Sequence, residues 1–354
     1  MEEKKDTLGM LDLVIRPGFC VKENQIIKVN QAAESLFITP GTDVRPLLLT
    51  GAEEYAAFTG GCLYLTLNLS SHSCGASVTR VDDIDVFLLE QESDNGELRS
   101  MALAARELRE PLTNVMITAD SLFPLCAAES SPRTAEQVAR LNRGLFQILR
   151  IIGNMSDAER CAAVSHQETV DIPALFAEFF EKAETLVSHT GITLTYEGPD
   201  QPIYGLADRE QLERAVLNIL SNAIKFTPKG GTVAAKLTRS GRMLRLSVTD
   251  SGSGIAQNVR SSVFSRYLRQ PALEDSRYGI GLGMVLIRTA AAHHGGAVLI
   301  DQPEGVGTRI TMTMSIRQSK QATLRSNVLR VDYAGERDHG LIELSECLPT
   351  ELYE

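Results

Sequence analysis

Two runs of apolar residues, spaced alternately by four and three, constrain this chain more than any other feature. Met101, Ala105, Leu108, Leu112, Val115, Ala119 and Leu122 make the first; Val138, Leu141, Leu145, Ile148, Ile152 and Met155 make the second. A 3.5-residue repeat gathers such residues into one narrow stripe on a helix, and that stripe needs a partner. Pro124, Ser130, Ser131 and Pro132 fall between the runs, so a helical hairpin is predicted over residues 92–166. One hairpin leaves part of its stripes uncovered and two copies close a four-helix bundle, so a homodimer is expected. Pro111 lies inside the first helix, where it removes a backbone donor and is expected to bend it.

At 354 residues, 43% hydrophobic and 23% charged, the chain has the composition of a soluble globular protein with room for two or three domains. Its formal charge of -10 argues against general binding to nucleic acid or to anionic membrane, both of which favour a basic surface. Cys20, Cys62, Cys74, Cys126, Cys161 and Cys347 form no CxxC pair, and no basic-then-apolar leader opens the sequence. No run approaches the ~20 apolar residues that cross a bilayer. These features together predict reduced thiols and a cytoplasmic location.

Residues 1–91 predict a small α+β unit. A strand at Ile26–Val29 precedes amphipathic segments at Gln31–Phe37 and Glu53–Phe58. Three further strands follow: Leu63, Leu65, Leu67 and Leu69 alternate with polar residues at the period of a half-buried strand, and Ala76–Val81 and Asp85–Leu89 complete a meander. This order, with the phrase Val29-Asn30-Gln31-Ala32-Ala33-Glu34, resembles a PAS sensor domain; an unrelated α+β domain is the alternative. A last domain is expected over residues 171–316. The tail, 317–354, is read as a hairpin of Leu329–Tyr333 and Leu341–Leu344, with no role assigned.

Three motifs follow in order in the last domain. On a helix from Asp208 to Phe226, Leu212, Val216, Ile219, Leu220 and Ala223 point one way, while Arg214, Asn218, Asn222 and Lys225 point the other. That polar face suits either a solvated surface or a metal–phosphate group, because Asn offers a neutral carbonyl oxygen to Mg2+ and Lys complements phosphate. Asp250-Ser251-Gly252-Ser253-Gly254 ends a strand whose inward residues are Leu244, Leu246 and Val248. Parity places Asp250 on the same apolar side, where a carboxylate needs a hydrogen-bond donor; an adenine amino group is suitable, and the glycines let a base approach the backbone. Gly279, Gly281 and Gly283 lead into a helix from Met284 to His293, and unobstructed amides at a helix start attract anions.

The segments Asn218 to Phe226, Asp250 to Gly254, Phe264 to Arg269 and Gly279 to Gly283, closed by Gly305-Val306-Gly307-Thr308, resemble the ATP-binding domain of sensor histidine kinases. The resemblance covers residues 95–316. It implies an α+β multidomain chain: a PAS-like domain, an antiparallel hairpin and a C-terminal α/β sandwich of the histidine kinase and Hsp90-like ATPase type. It also implies ATP and Mg2+ as cofactors. Asn222 would hold the metal, Asn218 and Lys225 would support the phosphates, and Asp250 would read adenine. Gly252, Gly254, Arg269, Gly279, Gly281, Gly283 and Thr308 would complete the site. ATP-hydrolysing relatives of the fold carry a glutamate where this chain has Asn218, so rapid hydrolysis is not expected.

Within Arg106-Glu107-Leu108-Arg109-Glu110-Pro111-Leu112 the same family carries its phospho-accepting histidine at the position of Arg106. A guanidinium stays protonated and has no lone pair with which to attack phosphorus. Glu107 is retained. Glu110 stands where the family places a Thr or Asn that serves phosphatase chemistry. His72, His166, His189, His293, His294 and His339 all lie outside this helix. The expectation is therefore a degenerate signalling protein that binds Mg-ATP and works through an intact kinase or a response regulator, with Arg106 free to grip the γ-phosphate. The alternative is an active kinase that phosphorylates a histidine in trans or at an unexpected site. An anti-sigma-type serine kinase shares the ATP fold but not the hairpin.

Overall fold

The computed structural model describes residues 8–9, 11–69, 72–90, 92–128, 132–163, 166–255, 263–264, 282–303, 307–317 and 337–353. β1 (Gly18–Lys22) and β2 (Gln25–Val29) form a hairpin. Glu23 and Asn24 turn it with φ of 51° and 64°, the left-handed pair that matches strand twist in a two-residue turn. Helices α1 (Gln31–Glu34) and α2 (Ala52–Ala56) cross to the meander of β3 (Cys62–Asn68), β4 (Ser73–Val81) and β5 (Ile84–Leu89). β1 returns to pair with β5, so this unit has the order β2-β1-β5-β4-β3.

Two long helices follow, α3 (Glu92–Ala128) and α4 (Pro132–Ala163). α3 continues through Pro111 and Pro124, so the predicted break falls after Ala128 and not at Pro124. Their stripes divide by heptad position. Ala105, Leu112 and Ala119 of α3 and Leu145 and Ile152 of α4 are buried, whereas Leu108, Val115 and Leu122 and Leu141 and Ile148 are exposed. Each helix thus uses one row inside the hairpin and presents the other.

The remaining chain forms β6 (Glu168–Asp171), α5 (Ile172–Val187), β7 (Thr193–Glu197), β8 (Tyr204–Ala207), α6 (Arg209–Phe226), β9 (Thr232–Ser240), β10 (Met243–Asp250), α7 (Leu282–His293), β11 (Val298–Asp301) and β12 (Arg309–Ser315). Phe176, Phe179 and Phe180 of α5 share a core with Leu244, Leu246 and Val248 of β10 and with Met312 and Met314 of β12. The tail contains α8 (His339–Glu343). The expected second strand, Leu341–Leu344, is therefore largely helical: Asp338 caps α8 by accepting from the Leu341 amide at 3.0 Å. The expected first strand, Leu329–Tyr333, lies outside the described residues.

β3 pairs antiparallel with β11 through Val298–Tyr64, Leu299–Leu63 and Ile300–Cys62, and this fuses the two sheets into one of ten strands. It also explains why the alternation read from β3 is incomplete. Leu63, Leu65 and Leu67 enter the N-terminal core, but Cys62 and Tyr64 enter the C-terminal one, so both faces of the strand are covered. Arg288 of α7 tightens the junction, pairing with Glu90 at 2.6 Å and lying 5.0 Å over the Tyr64 ring. Gly61 sets the approach: its φ is +93°, and a Cβ there would lie 2.4 Å from the Ile300 carbonyl oxygen. Gly61→Ala is expected to lower stability by about 1–3 kcal/mol, read from urea denaturation; an unmoved midpoint would show that the seam contributes nothing.

Candidate functional site

α6 starts where the sequence signals say it should. Asp208 accepts from the Gln211 amide at 3.1 Å, Glu210 sits in the first turn and Lys225 in the last, each suited to its end of the helix dipole. The Asp208 amide donates to His294 Nε2 at 2.9 Å, while His294 Nδ1 faces the Ala290 carbonyl oxygen at 2.7 Å. The ring is thus held neutral with its proton on Nδ1, and burial lowers its pKa from the ordinary 6.5.

The apolar side of α6 is buried as expected, but its polar side is not a solvated surface. Arg214 and Asn218 are 3% and 1% exposed. α4 and α8 cover them. Arg214 Nη2 donates to Asn154 Oδ1 at 2.6 Å and Nε to Glu343 Oε1 at 3.1 Å; the guanidinium also pairs with Asp157. Arg150 of α4 donates to Ser221 Oγ at 3.1 Å and pairs with Glu343 at 3.3 Å and Glu346 at 3.1 Å. Asn218 Nδ2 donates to the Arg214 carbonyl oxygen at 2.9 Å and to Glu343 Oε2 at 3.3 Å. Lys225 Nζ reaches Glu346 at 2.9 Å. Burial pushes the Glu346 carboxyl up, yet Arg150 and Lys225 outweigh it and hold the pKa below the usual carboxylate value.

Asp250 lies where strand parity placed it, 7% exposed. Its Oδ1 accepts from the amides of Gly252 at 2.8 Å and Thr308 at 3.2 Å. Burial raises its pKa, against those two hydrogen bonds. Gly252 leaves no space for a side chain, since a Cβ would lie 2.4 Å from the Phe226 carbonyl oxygen. Gly254, at φ +74°, stands beside Gln302 and Gly307, so it turns the chain next to Asp250. Asn222 is half-buried. Arg269, Gly279 and Gly281 lie outside the described residues.

Gly283 brings the start of α7 onto Asn218: a Cβ on it would stand 2.6 Å from Asn218 Oδ1. That oxygen is buried and has no hydrogen-bond partner among the described residues. A buried acceptor without a donor is costly, and an oxygen in that condition suits a hard cation or the water bound to one. That oxygen therefore fits a hydrated Mg2+.

Sequence reasoning missed Arg150, Asn154, Asp157, Glu343 and Glu346. The first three recur at spacings of four and three on α4 and so mark a polar row beside its apolar stripe. Nothing in the local pattern of Glu343 or Glu346 announces their place. Conversely, Arg106, Glu107 and Glu110 are exposed on α3, and no hydrogen bond or ion pair among the described residues joins them to α6. The hairpin cation that reaches this face is Arg150 of the second helix, not Arg106 of the first.

Residues 207–318 match the family described as histidine kinase-, DNA gyrase B- and HSP90-like ATPase. An uncharacterized sensor-like histidine kinase of Rhizobium meliloti is 28% identical over 276 residues, which cover 73% of this chain and 52% of that protein. A solved structure of a mycobacterial sensor histidine kinase, MprB, is 30% identical, covering 44% of this chain and all of that one, with a TM-score of 0.37. Residues 207–318 form a domain of the histidine kinase-, DNA gyrase B- and HSP90-like ATPase type, and the chain is similar to sensor histidine kinases. It spans about half the length of the Rhizobium relative. Full-length ShkA in complex with AMPPNP, 22% identical with a TM-score of 0.51, covers 70% of this histidine kinase-like chain and 54% of its own, and shares the fold. Among the described residues no helix is long and apolar enough to cross a membrane.

The His294 contact gives this ATPase domain an acid-sensitive joint. Because the folded-state pKa lies below the unfolded one, the unfolded chain takes up the proton first. The contribution is complete above about pH 6.5 and is lost as pH falls further. The urea midpoint is expected to drop between pH 7.5 and 5.5, and His294→Asn is expected to flatten that drop; equal slopes in both proteins would remove His294 from the explanation.

Proposed function

We propose that this protein is a dimeric, degenerate histidine kinase that binds Mg-ATP and signals by conformation within a two-component system. The observation that carries the nucleotide reading is the buried Asn218 Oδ1 beside Gly283, without a partner among the described residues, on the same helix as Asn222 and Lys225. Asn222 would hold Mg2+, which screens phosphate charge when bound. Asn218, through its Nδ2 donor, and Lys225 would take the phosphates while Asn218 Oδ1 accepts from water on the metal, and Asp250, with Gly252, Gly254 and Thr308 around it, would receive the adenine amino group. Arg269, Gly279 and Gly281 complete the reading from sequence. AMPPNP in the ShkA structure is in keeping with a nucleotide here.

The loss of phospho-acceptor chemistry rests on Arg106. An in-line attack on the γ-phosphate needs a lone pair, and guanidinium offers none. Glu107 and Glu110 share its exposed surface, the natural contact for an intact kinase or a response regulator. The strand order β2-β1-β5-β4-β3, with helices between β2 and β3, supports a PAS-like sensor over residues 1–91. The exposed heptad rows support a homodimer through residues 92–166.

Mg-ATP is expected to raise the melting temperature of the wild type by a shift that grows as RT ln(1 + [L]/Kd). Asn222→Ala or Asp250→Ala should abolish it, and a wild type that melts alike with and without ATP would refute the site. Radiolabelled ATP should leave no acid-labile phosphate on the wild type, while Arg106→His should gain it. Label on the unaltered protein would mean an active kinase with another acceptor. Val115→Glu with Ile148→Glu is expected to turn a dimer into a monomer in sedimentation velocity; no change of mass would place the dimer interface elsewhere.

A further inference from the structure

The C-terminal segment occupies the face of α6 that the nucleotide reading needs. Glu343 is fully buried and accepts from Asn218 Nδ2 at 3.3 Å, and Glu346 holds Lys225 Nζ at 2.9 Å. Asn218 and Lys225 are the two side chains assigned to the phosphates. The tail thus delivers two carboxylates to the donors that a metal-bound triphosphate would use, and with similar net charge.

We infer that residues 337–353 are a built-in acidic competitor of Mg-ATP that also clamps the ATPase domain onto the hairpin. The inference rests on the nucleotide reading of α6 given above. Three further observations carry it. The tail is seated away from the site: Leu348 and Tyr353 are buried, and the Tyr353 ring lies 5.2 Å from Phe146 of α4. Its backbone is held by the hairpin too, since Arg143 donates to the carbonyl oxygens of Ser345 at 2.9 Å and Glu346 at 3.1 Å. Finally, burying ion pairs yields little net stability compared with apolar packing, so two carboxylates at this spot are poorly explained as a device for stability alone.

The consequence is quantitative. A ligand that must displace a tethered competitor has its apparent affinity reduced by the fraction of molecules whose site is open, and a tether keeps the competitor at an effective concentration of order mM. Nucleotide binding and release of the tail are then one equilibrium. Whatever draws the tail away opens the pocket and withdraws Glu343 from between Arg150 and Arg214, while Arg214–Asn154 and Arg150–Ser221 still join α4 to α6.

The test is Mg-ATP titration calorimetry on the full chain. Leu348→Asp unseats the tail at a residue outside the nucleotide face and is expected to tighten binding by about tenfold or more, the change for a site open in about a tenth of molecules. Glu346→Gln, a milder change at a partly exposed position, should move affinity in the same direction and guards against a misfolded Leu348→Asp. A synthetic peptide of residues 337–353 should then weaken Mg-ATP binding to the Leu348→Asp protein. Measurable and equal affinities in wild type and both folded variants would overturn the tail inference while leaving the nucleotide site intact. Absence of binding in all three would bring down the nucleotide reading and this inference with it.

Discussion

The buried contact of Arg214 and Arg150 with Glu343 and Asp157 is the constraint on which the arrangement of the chain depends. A guanidinium 3% exposed is tolerable only when its charge and donors are met. Here they are met from two places: Asn154 and Asp157 on α4, and Glu343 on α8. Removing any one leaves an uncompensated charge in the interior. The pairs therefore fix which surfaces meet, and apolar neighbours such as Leu348 and Tyr353 supply the attraction that brings them together.

The β3–β11 pairing plays the corresponding role at the other end. It joins the N-terminal sheet to the ATPase sheet without a gap, and Arg288 spans the junction to Glu90 and Tyr64. Glu90 precedes α3, and Arg288 lies on the helix that Gly283 opens beside Asn218. A change in the N-terminal unit thus has a short, packed route both to the hairpin and to the candidate nucleotide face. Contiguous packed elements and ion pairs of this kind are the physical networks through which coupling between sites is carried.

Much of the candidate site was legible because its signals are local. The cap at Asp208, the apolar rows of α6 and the parity that buries Asp250 each follow from spacing within one element, where period alone decides facing. The heptad rows were legible as helices, but not which row would be inside, since residues at both positions are equally apolar. The polar face of α6 was legible as polar, but what covers it was not. Its cover comes from Glu343, more than a hundred residues further along the chain, and from Arg150 on another helix, and no local period reports such a meeting. The tail failed as a hairpin for a similar reason: Leu341–Leu344 is apolar enough for a strand, and the cap at Asp338 together with burial against α4, α5 and α6 settled it as helix.

The sequence by itself determined the kinds of element outside the tail, the order of the glycine and asparagine motifs and the chemical fact that Arg106 carries no nucleophilic lone pair. These are properties of residue type and near-neighbour spacing. Tertiary structure alone decided that one sheet runs through both globular parts, that Arg150 and not Arg106 meets the ATPase helix, and that the tail's carboxylates reach Asn218 and Lys225. Those outcomes depend on which distant surfaces can bury each other's charges, a condition met in space and not along the chain.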